Sequence, residues 1–544
     1  MPPQATSRKH KLSSLEAKPP RRYLKIRRGY DPILSLNEDT INMIFSLIPS
    51  AELIRFERVS HGWQAAVRAW IETFGLRTRF RSSWLPAHDD GAENATRGDY
   101  EVFKRHARRE YLMQRGRPTR VTRLRSVWHL ASAGDYVVWL TSGDYQFTPD
   151  QVFWQCLSRI EEGSARPAVS IPLSRILGSD RPPGQVSGLA VNRDGVILMH
   201  IVPRSDHWTS AVGVDALYSA VDNRIIRRQD WLLAPVSTST EQIPVLIGKS
   251  STYCVNGVHN GYTLSAFDFH GKLLYLSPEY ARVWARSYDV RAMRDECMKD
   301  FRILQARNEE DLIFVTSCSQ ARFVDACDTT IHIIQGTTGN LVYSARYPQS
   351  WNFDLHSDPA TNTLALTSRP KSVRSASGDG SMLEGWAILQ RFSYQPRDNP
   401  RLALLTTDAI QTPSVVMHSG PGYPVVDPFN SAAFSCPVVL PAGRRHVQGH
   451  VVTPTTDEGH LTTARGLLRS AFGDQSHPPL GQCFVFASGE PVTLPLKPGE
   501  GRHRRSNFDL SRYTGLFSLL HLLKLTDKGH VLVKLKCNVF VLQF

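Results

Sequence analysis

No stretch of this 544-residue chain approaches the eighteen or so uncharged apolar residues that a membrane-spanning helix requires. The nearest run, Gly515 to Leu523, is about half that length and is followed by Lys524, Asp527 and Lys528. The opening residues Met1 to Lys9 lack the apolar core of a secretory signal, and the ending Val541-Leu542-Gln543-Phe544 lacks a prenylation cysteine. A chain that is neither secreted nor held at a membrane is expected, in the cytoplasm, the nucleus or both. Cysteine is also sparse. Eight residues (Cys156, Cys254, Cys297, Cys318, Cys327, Cys436, Cys483 and Cys537) are scattered with no C-x-x-C pair, against both a zinc module and a disulfide framework. Reduced, mostly buried thiols are expected, and in a reducing compartment the sequon Asn94-Ala95-Thr96 carries no glycan.

Catalytic signatures are missing too. Gly248-Lys249-Ser250 ends like a phosphate loop, but position 243 is Ile rather than Gly. His446 and His450 lie four apart without an intervening Glu or a helical context. Gly184-Gln185-Val186-Ser187-Gly188 holds its serine one place too late for a nucleophile elbow. Cys318 and Cys327 border apolar strand residues and read as core thiols. No catalytic residue, metal or cofactor is assigned, and the chain reads as a non-enzyme.

What is present is uneven charge. Residues 1–30 hold nine basic and one acidic residue, 31–80 five and six, and 81–125 eleven and six, so nearly all of the net +14 precedes residue 126. This is a basic tail and linker on a nearly neutral body. The tail's Arg21, Arg22, Lys25, Arg27 and Arg28 are a candidate nuclear-import signal; a solvated arm without a dedicated reader is the other reading.

Residues 31–78 read as a small helical module. Asn37 is placed to cap a helix with Glu38 and Asp39 in its first turn. Ile41, Ile44, Phe45 and Ile48 then recur at i, i+3, i+4, i+7, while Leu36, Met43 and Leu47 fall on a second face. Pro49-Ser50 breaks and recaps the chain for a short helix with Leu53, Ile54 and Phe56. Ser60 caps a third helix bearing Trp63, Ala66, Val67 and Trp70. About forty residues bury too little surface to hide two apolar faces of one helix, so something else covers the surplus face, either the rest of the chain or a partner.

The run Leu34-Ser35-Leu36-Asn37-Glu38-Asp39, Ile44-Phe45, Ile48-Pro49, Glu52-Leu53-Ile54, Val59-Ser60-His61-Gly62-Trp63 resembles the F-box. Its valine-serine-x-x-tryptophan ending is the most specific part, and Asn37 stands where that family usually has proline, a departure that bears on docking of the opening turn. The resemblance covers about 40 residues. It implies binding to the Skp-type adaptor that links F-box proteins to a cullin scaffold, with Leu34, Leu36, Ile41, Ile44, Phe45, Leu47, Leu53, Val59 and Trp63 making contact or supporting it.

Residues 79–125 read as a loop, then a basic linker helix from Asp99 to Gln114 with Gly116 as its C-cap. Val102 or Phe103, Ala107 and Tyr111 form one side; Lys104, Arg105, Arg108, Arg109 and Arg115 form the other. A helix bridging two domains with its charged side in water is preferred over a nucleic-acid contact, since no stacking aromatics accompany the basic residues. The run from Tyr100 to Pro118 also resembles the linker that follows the F-box in a group of filamentous-fungal proteins.

From residue 126 to 544 helical periodicity nearly vanishes and short alternating apolar runs take over. Thr263 to Tyr275 parallels Thr330 to Tyr343 as a hairpin with glycine at the corner, and Leu189 to Leu198 parallels Phe353 to Leu366. Asp194 and Asp358 are 164 apart, four spacings of 41, the period of a four-stranded blade. The hairpin ending in threonine-glycine is similar to those of WD-type and quinoprotein-like propellers, without their tryptophan-aspartate signature. A β-propeller is expected, a β-sandwich or several small β units being the alternative, with flexible insertions at 372–381, 443–479 and 498–506. The alternating strand around Val531 to Val541 is expected to close the ring against an early strand of the body.

The fold class is thus α+β multidomain, a small all-α module and helical linker before an all-β propeller-like body. The function expected is substrate recognition in a cullin–RING (SCF-type) ubiquitin ligase, the propeller holding an unknown target protein. A nucleic-acid- or chromatin-associated scaffold is the alternative.

Overall fold

The computed structural model describes residues 31–80 and, with interruptions, 96–544; the longer undescribed segments are 142–150, 158–167, 204–211, 233–245, 282–299, 320–327, 371–384, 412–424, 436–445 and 495–520. The basic tail and the expected insertions 372–381 and 498–506 therefore lie outside the described residues. The chain divides into two compact units after Trp70. The module ends there rather than at 78, and residues 71–125, expected to be partly linker, belong to the body unit.

The first unit is a turn, Pro32–Ser35, and three helices: α1 (Glu38–Leu47), α2 (Ser50–Phe56) and α3 (His61–Trp70). Asn37 caps α1 by accepting the Thr40 N–H at 2.8 Å. Ser50 is the first residue of α2 rather than its cap; Pro49 stands in that position without a side-chain bond. The Ser60 hydroxyl accepts the Trp63 N–H at 3.1 Å and donates to the Asp31 carboxylate, which ties the start of α3 to the opening turn. Gly62 is required by this closure, because a Cβ there would stand 2.3 Å from an Asp31 carboxylate oxygen.

The body unit opens with a π-helical turn, Ile71–Gly75, the short α4 (Leu76–Arg79) and the long α5 (Thr96–Gln114). Gly116, at φ 55°, ends α5, and the Arg117 N–H returns to the Leu112 carbonyl at 2.9 Å. The strands follow. β1 is Arg120–Leu124; β2 (Val127–Ala133), β3 (Tyr136–Thr141), β4 (Gln151–Cys156) and β5 (Val169–Pro172) form one antiparallel sheet, followed by the short α6 (Leu173–Leu177). The next sheet is β6 (Gly184–Val191), β7 (Val196–Pro203), β8 (Val212–Ser219) and β9 (Arg224–Leu232). After it come β10 (Leu246–Ile247), β11 (Ser251–Val258), β12 (Gly261–Asp268) and a fourth strand split into β13 (Leu273–Leu276) and β14 (Tyr280–Ala281), both paired to β12. The fourth of these sheets is β15 (Asp300–Gln305), β16 (Asp311–Ser319), β17 (Asp328–Gln335) and β18 (Leu341–Tyr347).

An eight-stranded sheet comes next. Its first half is β19 (Trp351–Asp358), β20 (Thr363–Pro370), β21 (Trp386–Gln395) and β22 (Arg401–Gln411). Its second half is β23 (Val425–Asp427), β24 (Ala432–Ser435), β25 (His446–Thr455), the helix α7 (Glu458–Phe472) and β26 (Cys483–Thr493). The halves join through two parallel pairs, Ala409 with Cys483 and Ile410 with Phe484. The last sheet is β27 (His521–Leu525), β28 (Val531–Leu535) and β29 (Asn538–Gln543), completed by β1 along its outer edge.

Six sheets, one of double width, thus carry seven four-stranded meanders. The first strands β2, β6, β10, β15 and β19 succeed one another in contact, as do β23 and β27. Each neighbouring pair encloses its own apolar layer, as with Val138, Val152, Ile197 and Met199, or Leu264, Ala266, Ile313 and Val315. The last layer joins Leu532, Val539 and Val541 to Val127, Val137 and Trp139, so the series returns to its start. This is a β-propeller.

Ring closure takes a different form from the one expected. Residues 531–541 are a hairpin rather than one strand, and β29 pairs with β1, a strand lying before residue 126. The 443–479 segment is no insertion: it supplies β25 and α7, whose Ala464, Leu467, Leu468 and Ala471 are buried in the layer between β17 and β21. Its glycines and histidines mask the alternation, and α7 is added between the third and fourth strands of its meander, packed on β18, β21, β22 and β26. The spacing of 41 also fails, for Asp194 and Asp358 mark corresponding turns three sheets apart, not four. Long connections stretch the repeat while the turns keep their chemistry: Gly271 and Gly339, at φ 91° and 74°, occupy the same corner of successive sheets.

Candidate protein-docking site

The first unit separates its apolar residues into two sets. Ile33, Phe45, Leu53, Val67 and Trp70 are buried, with the Phe45 ring 6.0 Å from those of both Trp63 and Trp70, and Phe56 5.2 Å from Trp63. Leu34, Met43, Leu47 and Val59 stand 61–79% exposed and Leu36 38%. Met43 and Leu47 are one turn apart on α1, and Leu34 and Leu36 sit in and just after the opening turn. Five large apolar side chains over a core of five is far more than a surface this small needs to leave in water.

The residues singled out from the sequence divide accordingly. Leu34, Leu36, Leu47 and Val59 are available for contact. Phe45 and Leu53, at 0% and 1% exposure, can only support it. Ile41, Ile44 and Trp63 are half-buried and do some of each. Met43 was legible as a member of the second face of α1 but was not counted among the site residues; with 67% exposure it is one of its most prominent members. Arg21, Arg22, Lys25, Arg27 and Arg28 lie outside the described residues.

On the body, the described motifs that suggested chemistry sit in strands and turns of the propeller. Gly248-Lys249-Ser250 is the turn between β10 and β11, and its anion is internal: the Asp311 carboxylate accepts the Lys249 N–H at 3.1 Å and the Tyr253 hydroxyl at 2.8 Å. Burial raises the Asp311 carboxyl above its ordinary range. Asn192 makes the next link of the same seam, donating to the Gly248 carbonyl at 2.8 Å and accepting the Val196 N–H at 2.8 Å. Ser187 lies within β6 and not at a strand-to-helix corner. His450, on β25, is 1% exposed beside Phe486, and burial holds its imidazole down at about 4. Burial pushes the thiols of Cys254 and Cys483 up to about 11, so both are uncharged. Cys318 is in β16, and Cys327 lies outside the described residues.

A pocket of about 390 Å³ at α7 is lined by Leu461, Arg465, Leu468, His477, Leu480 and Gly481. Arg465 there is engaged by Glu458 at 3.0 Å. Inside the eight-stranded sheet the buried Arg391 guanidinium pairs with Asp408, whose other oxygen accepts the Gln482 N–H at 2.9 Å; this charge pair pins the junction of the two halves. Among the described residues no group of three His, Cys, Asp or Glu side chains could hold a metal ion, and no helix is long and apolar enough to cross a membrane.

No protein-family model matches the chain, and no curated protein matches it either. Solved structures do, in fold. The β-propeller domain of the trilobed protease from Pyrococcus furiosus aligns at 9% identity over 61% of this chain and 89% of its own, with a TM-score of 0.32. The WD40 domain of coronin from Toxoplasma gondii aligns at 10% identity over 61% and 86%, TM-score 0.28. The WD40 domain of SCAP from fission yeast aligns at 7% identity over 78% and 98%, TM-score 0.35. At these scores the propeller assignment rests on the strand order and the closed series of apolar layers.

Proposed function

We propose that this protein is the substrate-recognition subunit of a cullin–RING (SCF-type) ubiquitin ligase, acting in the cytoplasm, the nucleus or both. The first unit docks a Skp-type adaptor, which joins it to the cullin scaffold, and the propeller holds a target protein. The chain makes and breaks no bonds in this reading. It raises the effective concentration of a target lysine near a charged ubiquitin carrier.

The observation that supports this most is that Leu34, Leu36, Met43, Leu47 and Val59 stay exposed around a filled core. It adds to the F-box resemblance of the same residues, since that resemblance requires a partner-covered surface at this place. The test is co-expression of the full chain with a Skp-type adaptor. Leu47→Asp with Val59→Asp is expected to abolish co-purification without unfolding, because both side chains are in solvent in the free protein and a charge at either is buried only in the complex. Wild-type protein that leaves the adaptor behind, or a double variant that keeps it, overturns the reading.

A further inference from the structure

The basic helix was expected to span two domains with its charged side in water. Instead α5 is seated on the body. Phe103, Ala107 and Met113 are 0–1% exposed, Tyr100 8%, and the Phe80 ring meets Phe103 edge-on at 5.2 Å. Its last turn lies so close to β26 that a Cβ on Gly489 would stand 2.4 Å from the Met113 carbonyl oxygen. The outward face of α5 is therefore held at a fixed position on the propeller.

That face carries more cations than acids. Of the acids of α5, Asp99 is buried, and Glu110 is half-buried and acts on the Arg79 guanidinium of α4. Glu101 is the exposed one, and it lies 3.8 Å from Lys104. Arg105, Arg108 and, just past the helix, Arg117 are exposed and carry no acidic partner among the described residues. Arg105 and Arg108 are a like-charged i, i+3 pair, an arrangement that weakens a helix. Glu101, four residues before Arg105, is the one acid interleaved with these arginines; Asp99 and Glu110 are drawn inward.

We propose that this face of α5 docks an acidic segment of a partner polypeptide. Planar guanidiniums at helical spacing suit carboxylates recurring along a peptide, each able to take a two-pronged contact. Nucleic acid fits less well. Tyr100 is buried and Tyr111 is half-buried under Arg115, whose guanidinium lies 5.8 Å from its ring centre, so neither tyrosine of α5 offers a face for a base to stack on. Arg105 and Arg108 are only about 5 Å apart along the helix axis, enough for one or two phosphates of one strand, and phosphate contacts that few are largely lost at physiological salt.

The experiment measures fluorescence anisotropy of the full chain, without adaptor, at 0.15 M salt against three probes. These are a labelled twelve-residue peptide alternating Glu and Ala, its Lys-Ala counterpart, and a 20-base-pair DNA duplex. The Glu peptide is expected to bind and the Lys peptide not. Arg105→Glu with Arg108→Glu should weaken the Glu peptide at least tenfold at an unchanged melting temperature. Should that variant be less stable, Arg105→Gln with Arg108→Gln replaces it and is expected to cost at least threefold. Failure of the Glu peptide to bind, or equal binding by the Gln variant, overturns the proposal. So does loss of binding on deleting residues 1–28, which would place the site in the tail, or duplex binding tighter than the peptide's. None of these readouts depends on the adaptor, so the ligase reading stands or falls separately.

Discussion

The two units treat apolar residues in opposite ways. In the body every pair of neighbouring meanders encloses a layer of Val, Ile, Leu and aromatic side chains. Several outer strands carry charge, as β9 does with Arg224, Arg227, Arg228 and Asp230. In residues 31–70 a comparable density of such residues is split, half inside and half bare. The difference is one of size. A ring of sheets has a neighbour for each face, whereas three short helices have one interior and cannot fill it from all sides. A bare face on a small unit is then a statement about what it meets, while a bare leucine on the large one is ordinary.

Opening the ring is expected to cost the body most. A chain ending at Lys528 loses β28 and β29, and with them Val531, Leu532, Val533, Val539, Phe540 and Leu542, all 0–1% exposed. Each contributes roughly 1.5–3 kcal/mol when buried, a total comparable with the whole stability of a domain. The body is expected to unfold or aggregate as a unit, seen as loss of its melting transition. A soluble truncated monomer with an unchanged melting temperature would mean that closure is dispensable.

Within the first unit, the two sets of apolar residues should separate. Phe45→Ala is expected to cost about 3–5 kcal/mol, since a buried aromatic leaves both its contacts and a cavity behind. Trp63, being half-buried, should cost less, about 1.5–3 kcal/mol. Chemical denaturation of the full-length variants, followed by tryptophan fluorescence, ranks them; equal losses would show that Trp63 is as deeply packed as Phe45.

A pH test bears on the body alone. His450 is buried neutral, with its imidazole held near 4 by desolvation against an unfolded value of 6.5. The unfolded chain thus binds the extra proton between these values, and the stability this group preserves at neutral pH is lost as pH falls from about 6.5 to about 4. The shift corresponds to about 3 kcal/mol at most. His332, lowered for the same reason, adds to this loss. Asp311 works the other way: its raised carboxyl favours the protonated form in the folded state, so its contribution grows as pH falls. A His450→Gln variant should have a flatter stability profile over this window than wild type; parallel profiles would show that His450 titrates normally.

The smallest expected effect is the most diagnostic. Leu47→Ala and Met43→Ala should each change stability by no more than about 0.5 kcal/mol, as surface substitutions do, while weakening adaptor capture. If either destabilises the unit like Phe45→Ala, the exposed face is packed in solution.

Local chemistry was legible in the sequence where a single residue dictates the backbone. Asn37 and Ser60 mark helix starts, Gly116 a helix end, and Gly271 and Gly339 equivalent hairpin corners, because each supplies a cap or a positive φ within a few residues. What escaped was set at long range. Nothing near Arg120 announces that its strand pairs with Gln543. The amphipathic spacing of Leu461, Ala464 and Leu468 in α7 went unread because glycine, arginine and histidine around it read as an insertion. The division of the first unit into Phe45 and Leu53 inside, Met43 and Leu47 outside, follows from the crossing of three helices. Periodicity names faces but does not choose among them.

The pairing of β1 with β29 also orders events in time. The Thr119 N–H and hydroxyl reach the Gln543 carbonyl across 424 positions of chain. During synthesis β1 emerges about 420 residues before its partner. At about 5–20 residues per second that interval is roughly 20–80 seconds. Throughout it the strand offers an open row of amides and carbonyls to any neighbour on the polysome. Arg120 and Arg123, two charges on a five-residue edge, suit it to that wait, since like-charged edges repel one another.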